Sequence, residues 1–195
     1  MSSTSPPHIL LVSGSLRSQS TNTALLRTAH AVAPARIVTV LYDELGELPH
    51  FNPDDDVEAV DEIDPAVARL RAAIHAADGV LFCTPEYAGA LPGSFKNLLD
   101  WTIGDNHVRS MYRKPVAWIV ASLRGAENAY HSLRTVLGYA HSYVIEAACI
   151  QIAVTSSMIG DDGLIDDVSV RDLLVDALTA FASGVEAAPD PEQAN

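Results

Sequence analysis

Positive charge is scarce in this sequence. Its 195 residues hold 12 Lys and Arg against 25 Asp and Glu, a formal net charge of −13. A chain that acidic offers no basic face to a nucleic-acid backbone. Cysteine is scarcer still. Cys83 and Cys149 both lie in apolar runs, and neither falls in a CxxC or Cys/His spacing. That excludes a disulfide framework and a zinc site, and fits reduced core thiols of a cytoplasmic protein. No apolar run nears the roughly 18 residues that span a bilayer. The opening MSSTSPP has neither the basic nor the apolar part of a secretory signal. The expectation is a soluble, cytoplasmic protein with no membrane insertion. The phosphate-binding signatures GxGxxG and GxxxxGK[ST] are also missing, and no HExxH occurs among the 7 histidines.

What is there suffices for one compact domain, since 48% of the residues are apolar. The expected unit runs over 8–184, between a flexible N-terminus at 1–7 and a flexible acidic tail at 185–195. Short, continuous apolar runs occur at Ile9–Val12, Ile37–Leu41, Val80–Cys83, Val116–Val120 and Cys149–Val154. Such runs suit strands buried on both faces. Helical patterns alternate with them: Thr23–Val32, Pro65–Ala77, Ser94–Trp101, Glu127–Leu137 and Val168–Ala182. Five βα units predict an α/β fold, a doubly wound five-stranded parallel sheet with helices on both faces. The exception is Tyr42–Asp64, too long for an ordinary connection and expected to be a binding or disordered segment.

In such a sheet, ligands bind beyond the carboxyl ends of the strands, near the point where strand order reverses. The first loop there reads VSGSLRSQSTN, Val12 to Asn22. One capping residue would satisfy the helix that follows. Ser15, Ser18, Ser20, Thr21, Asn22 and Arg17 at a helix N-terminus exceed that need and suit a terminal phosphate monoester. The loop after the third strand, TPEYAGALPGSFKNLLDW, is stiffened by Pro85 and Pro92. In it, Gly89 and Gly93 let backbone approach a flat ligand, and Tyr87 offers an aromatic face.

GSLRxxSxN together with TPEYAGALPGSFKNLLDW resembles the NADPH-dependent FMN reductase family of flavodoxin-like proteins, which includes quinone and chromate reductases. The segments Leu48–Asp56, Leu133–Leu137 and Asp161–Asp167 extend the resemblance over most of the chain. It implies FMN as cofactor, NADPH or NADH as donor, a small-molecule acceptor, and a homodimer or homotetramer. It implies that Ser15, Arg17, Ser20, Asn22 and Thr23 surround the FMN phosphate. Pro85, Glu86, Tyr87 and Ala88 would border the isoalloxazine, largely through backbone. No catalytic side chain is required, because the flavin carries the chemistry.

The loop after the fourth strand departs from the family. Ser122-Leu123-Arg124-Gly125-Ala126-Glu127-Asn128 is shorter and has one glycine where relatives have pairs. Its position still places Ser122, Arg124 and Gly125 beside the flavin. Asn97, Asp100 and Trp101 read as capping, pairing and packing residues. Arg109, Arg113 and Lys114 form a small basic cluster that could meet the phosphate of NADPH, although a solvated loop is the ordinary reading. Two rivals remain. A flavodoxin-type carrier would lack its own NADPH oxidation, and Arg17 speaks against it. A phosphatase would need Cys and Arg at a fixed spacing, which the residues after Cys83 do not supply.

Overall fold

The computed structural model describes residues 5–56 and 63–189. The chain alternates strand and helix: β1 (His8–Ser13), α1 (Thr21–Ala31), β2 (Val38–Tyr42), α2 (Pro65–Ala76), β3 (Gly79–Cys83), α3 (Gly93–Ile103), β4 (Pro115–Ala121), α4 (Glu127–Tyr139), β5 (Tyr143–Val144), β6 (Ile150–Ile152) and α5 (Val168–Ala187). Every pairing is parallel, in the order β2-β1-β3-β4-β5, with β6 also on β4.

The five predicted strand positions are all present, but the fifth is filled in two pieces. Tyr143–Val144 pairs with Pro115–Val116, and Ile150–Ile152 pairs with Ile119–Ala121. The single run expected at Cys149–Val154 is interrupted upstream, because Glu146–Ala148 closes a 3₁₀ turn and the Cys149 amide bonds back to the Glu146 carbonyl. The last helix, expected over Val168–Ala182, runs on to Ala187, with Val185 packed against the core.

Side chains alternate across the sheet. Leu10, Val12, Val80, Phe82, Val116 and Trp118 face one layer with α2, α3 and α4. Ile9, Leu11, Leu81, Cys83, Ala117 and Ile119 face the other with α1 and α5. Burial of each large aliphatic side chain contributes about 1.5–3 kcal/mol. Caps fix the helix entries. Ser20, Asp64 and Asp167 accept from the amides of Thr23, Ala66 and Val170.

The long connection after β2 is anchored on α3 instead of standing open. Phe51 donates its amide to Asn97 Oδ1 at 2.7 Å, and Asn97 Nδ2 and Trp101 Nε1 both donate to the Pro49 carbonyl. The Phe51 ring meets Trp101 edge-on at 5.0 Å. Asn97 and Trp101 thus have the structural roles read from sequence. Asp100 pairs with Lys96 one turn earlier. Residues 57–62 of this connection lie outside the described residues.

Candidate functional site at the carboxyl edge of the sheet

The registers Ser13↔Cys83 and Phe82↔Trp118 bring the carboxyl ends of β1, β3 and β4 to one edge. Three loops rise there, at 14–20, 84–92 and 122–126. The first begins with Gly14, whose amide donates to the Cys83 carbonyl at 2.9 Å. A Cβ on Gly14 would stand 2.2 Å from Thr84 Oγ1 and 2.9 Å from Phe95 Cγ. Only glycine lets the first loop lie this close to the third.

Beyond Gly14, hydroxyls line the path into α1. Ser13 Oγ and Thr23 Oγ1 are 2.8 Å apart, the Ser15 amide donates to Ser13 Oγ, and the Arg17 amide donates to Ser15 Oγ. Ser20 caps α1, so Asn22 and Thr23 fall in its first turn, which contains no acidic residue. Arg17 is exposed and its guanidinium has no protein partner among the described residues. A phosphate placed on this helix N-terminus would find unpaired amides, hydroxyls and a cation, and no competing carboxylate in that turn. Asn22 is the exception in orientation: it is buried, and its Oδ1 accepts from Cys83 Sγ at 3.3 Å. Burial pushes the Cys83 thiol up to about 12, so the sulfur is a packing group and not a nucleophile.

The third loop makes a sharp hairpin. Tyr87 and Ala90 exchange both backbone hydrogen bonds at 3.0 Å. Between them Ala88 and Gly89 both have positive φ, 50° and 74°. That is the backbone of a type I′ turn, and alanine adopts it at a cost. The amides of Glu86, Ala88 and Gly89 donate to no protein acceptor among the described residues, while Tyr87 is 45% exposed. Free N–H groups beside an exposed ring suit the polar edge of a flat heterocycle.

The Glu86 carboxylate is tied to α4. Its Oε2 accepts the Ala129 amide at 3.0 Å, capping α4, whose own N-cap Ala126 supplies no side chain. The third loop is thereby tied to the fourth. There Ser122 Oγ accepts the Arg124 amide, the Ser122 carbonyl accepts from Gln151 Nε2, and Gly125 has φ 82°. Asn128 Nδ2 lies 3.8 Å from where a Cβ on Gly89 would stand. The shortened loop therefore remains beside the hairpin.

The cluster of Arg109, Arg113 and Lys114 stands elsewhere. It precedes β4, at the amino edge of the sheet, with Arg109 paired to Asp78 and Lys114 Nζ bonded to the Ala77 carbonyl. The length of β4 separates it from the three loops. Two contributors escaped the sequence reading. Tyr130 on α4 bonds to both β3 and β4 ends. Arg27, four residues after Thr23 on α1, lines a cavity of about 290 Å³ with Ser13, Ser15, Arg17, Ser18 and Thr23. The i, i+4 spacing from Thr23 was the available signal for Arg27; Tyr130 had none.

A doubly wound sheet with a hydroxyl-rich loop and a hairpin of free amides at the carboxyl ends of its strands is the architecture of a flavodoxin-like domain. The family model for NADPH-dependent FMN reductase matches residues 7–155. The chain belongs to that family of oxidoreductases. It is 33% identical over 175 residues to an NAD(P)H-dependent FMN reductase of Pseudomonas aeruginosa, covering 89% of this chain and 92% of the relative. A quinone reductase of Pseudomonas putida is 31% identical over 180 residues, covering 91% and 94%. Among solved structures, the flavoenzyme NAD(P)H:(acceptor) oxidoreductase FerB of Paracoccus denitrificans superposes with a TM-score of 0.79 at 29% identity, covering 93% of this chain and 98% of that one. A WrbA-like flavodoxin of Agrobacterium tumefaciens shares the fold alone, with a TM-score of 0.59 at 16% identity over 95% and 100%.

Proposed function

We propose that this chain holds FMN at the carboxyl edge of its sheet and uses NADPH or NADH to reduce a quinone, a flavin or a similar small acceptor. The observation that carries the reading is the unpaired Arg17, which shares a cavity with Ser13, Ser15 and Thr23 beside the N-terminus of α1, where Ser20 is the cap. Bound there, FMN would supply the hydride and electron-transfer chemistry, and no side chain of the protein need react.

The chain's residues bind and orient. Ser15, Arg17, Ser20 and Thr23 hold the phosphate, with Asn22 closing the base of the helix turn. Pro85 stiffens the third loop, and the amides of Glu86, Ala88 and Gly89 meet the polar edge of the ring. Tyr87 flanks it, and the backbone around Ser122 and Gly125 closes the pyrimidine side, with Arg124 in reach of negative charge there.

No helix among the described residues is long and apolar enough to cross a membrane. The acidity of the chain and its thiols support a cytoplasmic protein that does not bind nucleic acid, and we read it as a homodimer or homotetramer. A light-scattering mass near that of one 20.8 kDa chain would overturn the assembly.

Calorimetric titration of the flavin-free chain tests the site. FMN should bind more tightly than riboflavin, and Arg17→Ala should lose about 1.5–3 kcal/mol of FMN affinity, the worth of a hydrogen bond to a charged group. Equal binding of the two flavins would remove the phosphate from this loop.

A further inference from the structure

Carboxylates outnumber cations two to one in this chain, and half of its arginines are ion-paired to one. Arg69, Arg71, Arg109, Arg134 and Arg171 each pair with an acidic side chain. Arg17, Arg27 and Arg124 do not, nor does Arg36 ahead of β2, among the described residues. Three of these four stand at the carboxyl edge of the sheet, where an anionic cofactor would sit. Arg124 belongs to the fourth loop and Arg17 to the first. Arg27 belongs to neither.

Its position on α1 gives it a role. Helical side chains lean toward the N-terminus of their helix, over the turn before them. Arg27 therefore reaches back along α1 toward Thr23, which shares its face. It lines the cavity of about 290 Å³ that also contains Ser13, Ser15, Arg17, Ser18 and Thr23. It equally lines the neighbouring cavity of about 400 Å³, whose walls include Ser18, Ser20, Thr23 and Ser156. Arg27 thus stands between the two hollows that flank the start of α1. On the outer side its Nη1 lies 3.7 Å from where a Cβ on Gly163 would stand, so the Gly160–Gly163 turn packs against the guanidinium. Asp43 and Asp161 line the same walls, and neither pairs with Arg17 or Arg27.

We propose that Arg27 is a second cation for the phosphate of FMN, acting with Arg17 on either side of the N-terminus of α1. The inference rests on the reading of the first loop as a phosphate site. A phosphate monoester carries a charge of about −1.5 to −2 at neutral pH. One arginine leaves much of that charge uncompensated, in a chain of net charge −13 with two aspartates on the cavity walls. Two arginines match it, and among the described residues no carboxylate pairs with either, which keeps both available.

The test is calorimetric titration of the flavin-free, full-length chain with FMN and with riboflavin, for wild type, Arg27→Ala and Arg27→Lys, at two salt concentrations. The Arg27→Ala chain should bind FMN roughly ten- to a hundred-fold more weakly, as for loss of a charge-assisted bond. Its riboflavin affinity should be unchanged, its FMN affinity should depend less on salt, and Arg27→Lys should recover part of the loss. Unchanged FMN affinity in Arg27→Ala overturns the proposal, including the case where the KM for NADPH rises instead. So does a parallel loss for FMN and riboflavin, which would mark a packing role. A wild-type chain that holds riboflavin as tightly as FMN is a different result: it removes the phosphate site itself.

Discussion

The hydroxyl of Tyr130 accepts the amide of Thr84 at 3.1 Å, joining α4 to the first residue of the third loop. The same hydroxyl donates to the Ile119 carbonyl at 2.8 Å, with the Thr84 carbonyl 3.2 Å away. One buried oxygen thus ties the end of β3 to β4, and burial together with the neighbouring Cys83 raises its pKa well above the usual tyrosine value. Tyr130→Phe keeps the ring and leaves a buried amide and carbonyl unpaired. It should cost about 1–3 kcal/mol in urea unfolding and weaken FMN and riboflavin alike, because it loosens the hairpin and leaves the phosphate loop in place.

Glu86 makes the complementary tie, from the third loop to the first turn of α4. Glu86→Ala should lose about 0.5–2 kcal/mol of stability, the worth of a helix cap. Since its carboxylate faces α4, Glu86→Gln should bind FMN nearly as wild type does. A large loss of flavin affinity in Glu86→Gln would place the side chain on the ring instead.

Gly125 has room for a side chain, since a Cβ there would stand 3.6 Å from Glu127 Cγ, but its φ of 82° is one that L-residues resist. Valine at this position should shift the backbone and weaken FMN binding by roughly 1–3 kcal/mol, as when a buried polar partner is lost. Normal FMN affinity in Gly125→Val would show that this loop does not bond the flavin.

At the opposite edge, His75 stacks on His107 at 3.9 Å and bonds Asp105 at 2.6 Å. Burial lowers the His75 pKa, against the pull of Asp105, with His107 and Lys114 also lowering it. The unfolded state then binds the proton more readily than the folded one. This contribution to stability is full above the unfolded value of about 6.5 and is lost as pH falls through the lower folded value. Urea unfolding of wild type and His75→Phe across that range should show the wild type losing more stability on acidification. Identical pH slopes would contradict the assignment.

The strands were legible because runs such as Val80–Cys83 are apolar on both faces, and only a sheet covered on both sides buries them. The split fifth strand was not, because a 3₁₀ turn at Glu146–Ala148 leaves no mark on an apolar pattern. At the candidate site, the hydroxyls and Arg17 were legible as a set that exceeds what a helix cap requires. The tie of the Glu86 side chain to α4 was not legible, because sequence shows that a residue lies in a loop and not which way its carboxylate turns.

The most direct test of the account is anaerobic addition of NADPH to the purified, FMN-loaded chain with no partner protein present, followed by its visible absorption. The account predicts that the flavin bands bleach with NADPH alone and return when a quinone is added. Bands that persist with NADPH yet bleach with dithionite would contradict it, and would make the chain a carrier that depends on another enzyme for its electrons.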